Sequence, residues 1–283
     1  VAKLRLIIHA DDFGLSEQIN NGIRHAYLDG ILTATSIMAT GSAFEHGIDI
    51  CRSTPDLDLG VHLTLVEEKP LLNGYTISSL VDNSGKFYKN AKVFVRRYLS
   101  GKIRLAELRR ELDAQIRRVL DCGVSVSHLD SHQHLHLLPG IWRIVIELAK
   151  KYTIPYVRRP REQPRLYMLR ERLGATRLAS LLVLNVFCFL AKSKDIMSTE
   201  HFVGFFFGGV LNKGNMNVLL RHLPEQGTCE LMCHPGLHDP SSVYDHWNYH
   251  WSEELEALQD SSVSRFFENE GILLISYRDL SAT

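Results

Sequence analysis

His128-Leu129-Asp130-Ser131-His132-Gln133-His134-Leu135-His136 packs four imidazoles and one carboxylate into nine residues, directly after the apolar run Gly123-Val124-Ser125-Val126-Ser127. Neutral imidazole nitrogen and carboxylate oxygen are the usual ligands of Zn²⁺ and its neighbours. An extended backbone through this stretch would set His132, His134 and His136 on one face, because side chains alternate with period two. The competing reading is a group of solvated loop histidines. Either way Val124–Asp130 reads as a strand that delivers polar chemistry at its carboxyl end.

Working outward, the same arrangement recurs. Leu4–Ala10 is a short apolar strand followed by Asp11-Asp12-Phe13-Gly14, with Ser16 as a helix N-cap and Ile19, Ile23 and Tyr27 at helical spacing up to Gly30. Ile31–Met38 is rich in β-branched residues, and Leu59, Val61, Leu63 and Leu65 alternate with His62 on the opposite parity. Ile154–Val157 precedes Arg158 and Arg159, and Cys229–His234 precedes Pro235-Gly236. Helices are expected near 43–53, 105–120, 141–148, 215–222 and 252–270, with a last strand at 272–276. Residues 70–101 read as a long excursion. Strand–helix alternation points to a parallel sheet. Candidate residues at many strand ends favour a deformed (β/α) TIM-like barrel over an open doubly wound sheet with one switch point. Residues 1–283 are expected to form one domain, least regular near 160–215.

Lys plus Arg equals Asp plus Glu at 32 each, so no overall field favours nucleic acid. The five cysteines are scattered, and Cys229 and Cys233 miss the spacing of redox and zinc-knuckle pairs, as expected of reduced thiols in a cytoplasmic protein. The N-terminal segment lacks the apolar run and cleavage site of a secretory signal. Leu178–Ala191 is lipophilic over fourteen residues, short of the roughly 20 that span a bilayer. A buried core helix is expected there. The alternative is an exposed apolar lip over 178–207, including Phe202, Phe205, Phe206 and Phe207, that makes peripheral membrane contact or accepts a lipid tail.

Residues 7–15 (Ile-Ile-His-Ala-Asp-Asp-Phe-Gly-Leu), Gly60-Val61-His62-Leu63 and His128-Leu129-Asp130-Ser131-His132 resemble the YdjC-like carbohydrate deacetylases. That family includes the chitooligosaccharide deacetylase ChbG and relatives associated with hopanoid biosynthesis. Met232-Cys233-His234-Pro235-Gly236 and Ser276-Tyr277-Arg278-Asp279 look like further family segments. The resemblance implies a deformed barrel, one divalent metal (Mg²⁺ or Zn²⁺) on Asp12, His62 and His132, and Asp11 as catalytic base. The family often carries three consecutive histidines where this chain has His132-Gln133-His134, so Gln133 departs from the pattern.

On that reading the substrate is an N-acetylated amino sugar, as an oligosaccharide or a glycolipid. Asp12 coordinates while Asp11 takes a proton from water, which requires a turn at the Asp-Asp pair because a regular strand would point the two apart. His234 would protonate the leaving amine or brace the oxyanion, and Asp130 would orient a metal-binding imidazole. Roles for His128, His134 and His136 stay open. Arg158 and Arg159 are candidates for sugar or phosphate binding or for surface pairing, and His9 for the core. Two rival readings remain: a phosphoesterase, which would want a second metal, and a non-catalytic glycan- or lipid-binding protein.

Overall fold

The computed structural model describes residues 4–171, 174–239 and 242–282. Its strands are β1 (Arg5–Phe13), β2 (Ala34–Ile37), β3 (Asp58–Leu63), β4 (His128–Ser131), β5 (Tyr156–Val157), β6 (His201–Val203), β7 (Thr228–Cys233) and β8 (Leu273–Leu274). All pair in parallel, in the order β5-β4-β3-β2-β1-β7-β6, with β8 alongside the first residues of β1. The sheet is curled: Arg158, just after β5, reaches Glu230 on β7, five places along the sheet order. β5 and β6 are its edges, so the barrel is open on that side, where Met197 bridges back to Tyr156.

Helices α1 (Glu17–Leu28), α2 (Phe44–Ser53), α3 (Ala91–Leu99), α4 (Leu105–Leu120), α5 (Pro139–Lys151), α6 (Gly174–Leu190), α7 (Lys213–Leu220), α8 (Trp251–Leu258) and α9 (Ser261–Glu270) accompany the sheet. Strand parity sorts the two faces. Leu6, Ile8 and Ala10, with Leu59, Val61, Leu63, Leu129, Leu231 and Cys233, join the main core between sheet and helices. The opposite parity faces into the barrel. Ile7, Ala34, Tyr156, Ile275 and Tyr277 form a small apolar plug there, and above it lie buried polar residues including His9, Asp11, His62, Asp130 and Glu230. Gly60 is needed at this inner face, because a Cβ there would stand 2.3 Å from the His128 ring.

Several expectations are corrected. Residues 124–127 are not strand, and β4 begins only at His128. The expected helix 252–270 is two helices, since Asp260 accepts from Ser262 N and starts α9 as a new N-cap. The excursion 70–101 contains α3, capped by Asn90. The lipophilic stretch 178–191 is not a buried core helix. Only Gly174, Leu181, Leu184 and Cys188 of α6 are buried, whereas Leu182, Val183, Val186, Phe189 and Leu190 are 50–62 % exposed. The helix is covered along one stripe alone. No described helix is long and apolar enough to cross a membrane.

Candidate active site

β1 does not end as a regular strand. Its register with β2 shifts between Ala10 and Phe13, and Asp12 has φ +64°. The left-handed residue cancels the alternation, so Asp11 and Asp12 both turn to the barrel interior; the kink sits at Asp12 itself, two residues before Gly14. Both are buried, at 3 % and 1 % exposure. Ser16 caps α1, as expected.

Asp12 meets His62 from β3 and His132 from the turn after β4. Its Oδ1 lies 3.3 Å from His62 Nε2 and 2.9 Å from His132 Nδ1. One ligand atom from each of the three falls within 4.8 Å of the others. Asp12 Oδ2 and His62 Nε2 are buried without a hydrogen-bond partner. Burial without a partner is costly for such atoms, and these two share one small space bordered by a third donor. The residues fit a divalent cation, with Asp12, His62 and His132 as the holders.

Each imidazole is oriented from behind. Asp130 Oδ1 and Ser36 Oγ each lie 2.9 Å from His62 Nδ1, and Ser36 Oγ donates to Asp130 Oδ2 at 2.9 Å. Glu67 Oε2 lies 3.0 Å from His132 Nε2 and accepts from Gln133 Nε2 at 3.3 Å. Carboxylate–imidazole pairs of this kind fix ring orientation and raise ligand basicity. Burial alone would lower both imidazoles, but Asp130 and Asp12 carry His62 up to about 10, and Asp12 and Glu67 carry His132 up to about 9. Burial would likewise raise Asp12, yet His132 and His62 hold its carboxyl well below the usual range.

Asp11 faces the same cleft but is bound differently. Arg158 donates from Nη1 to Asp11 Oδ2 and from Nη2 to Oδ1, both at 2.7 Å. The same guanidinium pairs with Asp130 Oδ2 at 2.9 Å and Glu230 Oε1 at 2.7 Å, and Tyr277 donates to Glu230 Oε2 at 2.6 Å. Burial favours the neutral acid, but Arg158 together with His9 and His62 outweighs it and holds Asp11 well below the usual carboxyl range. A second His/Asp group, His9, Asp11 and Asp130, therefore already has its cation in Arg158. Arg158 is wholly buried, which corrects the expectation that it binds sugar, phosphate or surface partners. Arg159 instead donates to Cys188 O.

The remaining histidines separate. Gln133 and His134 are both left-handed, at φ +52° and +53°, so the chain turns sharply and the three alternate rings do not share a face. His132 goes to Asp12. His134 lies against Phe205, with its Nδ1 buried and unpartnered and burial pushing it well below its ordinary value. His136 is held between Ser131 Oγ (2.6 Å) and Arg158 O (2.9 Å). His128 stacks on Tyr277 at 4.0 Å and lies 2.8 Å from His9, which is buried as expected. His234 follows β7, its backbone N donating to Glu254 and its Nδ1 buried without a partner. It lines, with Asp11, His62, His132, Arg177 and Tyr249, a cleft of about 470 Å³.

The sequence profile of the YdjC-like protein family matches residues 5–269. The chain belongs to that family. Among curated relatives, a carbohydrate deacetylase of Clostridium beijerinckii is 28% identical over 282 residues, covering 98% of this chain and 100% of the relative. A chitooligosaccharide deacetylase of Serratia marcescens is 31% identical over 278 residues, covering 97% and 98%. A crystal structure from Enterococcus faecalis, provisionally described as a cellobiose-phosphate cleavage protein, superposes with a TM-score of 0.78 at 28% identity and covers 99% of both chains.

Sequence reasoning missed Glu67, Ser36 and the burial of Arg158. Glu67 carried one signal only in retrospect: it opens the charged pair Glu67-Glu68 directly after the alternating strand, and its φ of +71° aims it at His132. Ser36 sits in a strand read for its apolar residues. Nothing in the sequence distinguishes a buried Arg158 from its neighbour Arg159.

Proposed function

We propose that this chain is a metal-dependent hydrolase that removes the acetyl group from an N-acetylated amino sugar. The observation that carries the reading is the pair of buried, unpartnered ligand atoms, Asp12 Oδ2 and His62 Nε2, beside His132 at the floor of a cleft. Membership of the YdjC-like family and the names of its carbohydrate-deacetylase relatives support it.

A divalent ion on Asp12, His62 and His132 would acidify water and polarise the acetyl carbonyl. Hydrolysis then forms a bond from the water oxygen to the acetyl carbon and breaks the carbon–nitrogen bond, leaving acetate and a free amine. Asp11 takes the water proton. Held acidic by Arg158, it accepts only from a strongly acidified donor, so its role is coupled to the neighbouring ion site. The amine nitrogen needs a proton as it leaves, and His234, also facing the cleft, is the group assigned to deliver it. Asp130 and Glu67 keep His62 and His132 aimed.

The phosphoesterase alternative loses its main support here. Among the described residues the other group with ligand spacing is His9–Asp11–Asp130, and Arg158 already fills it.

The test is acetate release from N-acetylated chitooligosaccharides by protein loaded with Zn²⁺ or Mg²⁺. Activity should vanish on chelation and return with metal. Asp12→Ala and His62→Ala should lose both metal and turnover. Asp11→Asn should keep one metal per chain and lose about 10²–10⁴ in kcat. Metal bound to the wild type but absent turnover on every acetylated sugar would overturn the reading.

A further inference from the structure

After β6 the chain reads Gly204-Phe205-Phe206-Phe207-Gly208-Gly209, a loop with no part in the proton transfers above. Its aromatic side chains divide. Phe206 and Phe207 are buried against Tyr167, whereas Phe205 is half-buried and lines the cleft beside His134. Gly204, at φ +108°, runs so close to β7 that a Cβ there would stand 2.4 Å from Met232 O. Arg177 of α6 also lines the cleft, and its place depends on this loop: Nη1 donates to Phe206 O at 2.7 Å and reaches Gly208 O at 3.4 Å. A carboxylate from elsewhere holds the loop in turn. Glu162, in the segment after β5, is 2 % exposed, and it accepts from Phe206 N at 2.9 Å and from Gly204 N at 3.4 Å. The amide of Phe205 acts on the same carboxyl, and among the described residues no side-chain cation does. Successive N–H groups converging on one anion form a nest. Burial pushes the Glu162 carboxyl up to about 7 against the pull of those amides.

We infer that Glu162 is a positioning residue for the substrate cleft: through the amides of Gly204, Phe205 and Phe206 it fixes the loop that presents the Phe205 ring and the Arg177 guanidinium to the sugar. The inference rests on the deacetylase reading, which puts the sugar in this cleft, and gives the cleft a defined wall. A sugar ring has an apolar C–H face that packs on an aromatic ring. Its hydroxyls suit Arg177, whose guanidinium carries donors beyond the one spent on the loop carbonyls. Neither contact survives a shift of the loop. Glycine at both ends leaves the segment much freedom to lose on ordering, so its conformation has to be imposed. A buried carboxyl without a counter-cation is costly to keep unless hydrogen bonds satisfy it. A salt bridge would answer the charge alone, whereas backbone amides tie it to the conformation of consecutive residues. Asp11, Asp12, His62 and His132 come from β1, β3 and the turn after β4, outside this loop. Glu162 therefore serves substrate affinity and leaves the chemical step to those four.

The experiment measures acetate release from N-acetylated chitooligosaccharides by metal-loaded protein at pH 8, above the value of about 7 for Glu162. Glu162→Ala should raise KM at least about tenfold, the worth of a lost charge-assisted hydrogen bond. It should leave kcat within about twofold and metal content unchanged. Formate can reach the vacated place from a hollow of about 190 Å³ that Glu162 lines with Arg161 and Arg165. It should bring KM back toward the wild-type value, while chloride at equal ionic strength should not. Glu162→Gln keeps the side-chain volume should the alanine variant fold poorly; it sets an amide N–H against backbone donors, so it should raise KM and gain nothing from formate. Phe205→Ala should raise KM as well, and the double variant should fall well short of the product of the two effects. Hydrogen exchange at the Gly204–Phe206 amides should quicken in Glu162→Ala and slow again with formate. Unchanged KM in both Glu162 variants, or effects at Glu162 and Phe205 that multiply independently, overturns the inference and leaves the deacetylase standing. So does a fall in kcat or metal content as large as the change in KM. Absence of acetate release from the wild type overturns the function itself, and the inference with it.

Discussion

Asp12, Glu67, Gln133 and His134 are four of the six non-glycine residues described with positive φ, and all four lie at the candidate metal site or its rim. Such conformations cost of order 1–3 kcal/mol each and persist where surrounding structure over-determines them. Here each kink aims a side chain: Asp12 at two imidazoles, Glu67 at one of them, and the Gln133–His134 pair at opposite walls. Electrostatics adds a testable consequence. His62 and His132 are lifted to about 10 and 9, so without metal both are charged at neutral pH. A cation binds them only as neutral rings. Metal binding at pH 7 should therefore release about two protons, read as the dependence of calorimetric heat on buffer ionisation enthalpy; no such dependence would remove the imidazolium state. The same shifts fix a sign for stability. Folded values above the unfolded value of about 6.5 stabilise metal-free protein fully below that pH. The stabilisation is lost as pH rises through 9 and then 10, so the melting temperature of the metal-free chain should fall across that window. Glu67→Gln should weaken metal affinity about 10–100-fold without removing the site, since it meets His132 at the nitrogen that faces away from Asp12.

At the scale of elements, α6 is where pattern reading and structure part. Seventeen residues with an almost unbroken apolar sequence would be buried all round in an interior helix. Instead one stripe, Leu181, Leu184 and Cys188, is buried and the opposite one faces out. Val186→Lys should thus change stability by no more than about 0.5 kcal/mol, whereas Leu181→Ala should cost about 2–5 kcal/mol, both from urea unfolding. A large loss for Val186→Lys would put that face against the core after all. The strands were easier to read. Leu59, Val61 and Leu63 alternate because one sheet face meets helices, and His62 could be read as facing the other way for the same reason. The ends of elements were not legible. Whether residues 124–127 join β4, or α8 stops before α9, depends on hydrogen bonds from other parts of the chain, such as Ser127 N to Leu59 O. The left-handed turn after His132 was equally hidden, because Gln has no preference for it and the enrichment of His there is too weak to mark one residue. So the sequence could suggest which histidine stands near Asp12, but not that His134 and His136 turn elsewhere.

For the molecule as a whole, the inside of the barrel is more ionic than an apolar core. One guanidinium, Arg158, joins carboxylates from β1, β4 and β7, and Tyr277 from beyond β8 closes the network from below. These groups hold the two sides of an open barrel to each other, since β5 and β6 do not pair. A buried ion network need not be more stable than an apolar one, but removing one partner leaves charge uncompensated. Arg158→Met should cost about 3–5 kcal/mol at pH 8 by urea unfolding. The loss should also depend on pH in a definite direction. In the wild type Arg158, helped by His9 and His62, overcomes burial to depress Asp11 and Asp130, so their contribution is present above the unfolded carboxyl value and lost as pH falls. Without the guanidinium the largest group opposing burial is gone, so both carboxyls shift upward and less stability is lost as pH is lowered than in the wild type. The gap between wild type and variant should therefore narrow from pH 8 to pH 5. An equal gap at both would mean that Arg158 supports the barrel by packing rather than by charge, and that Asp11 owes its ionisation to something else.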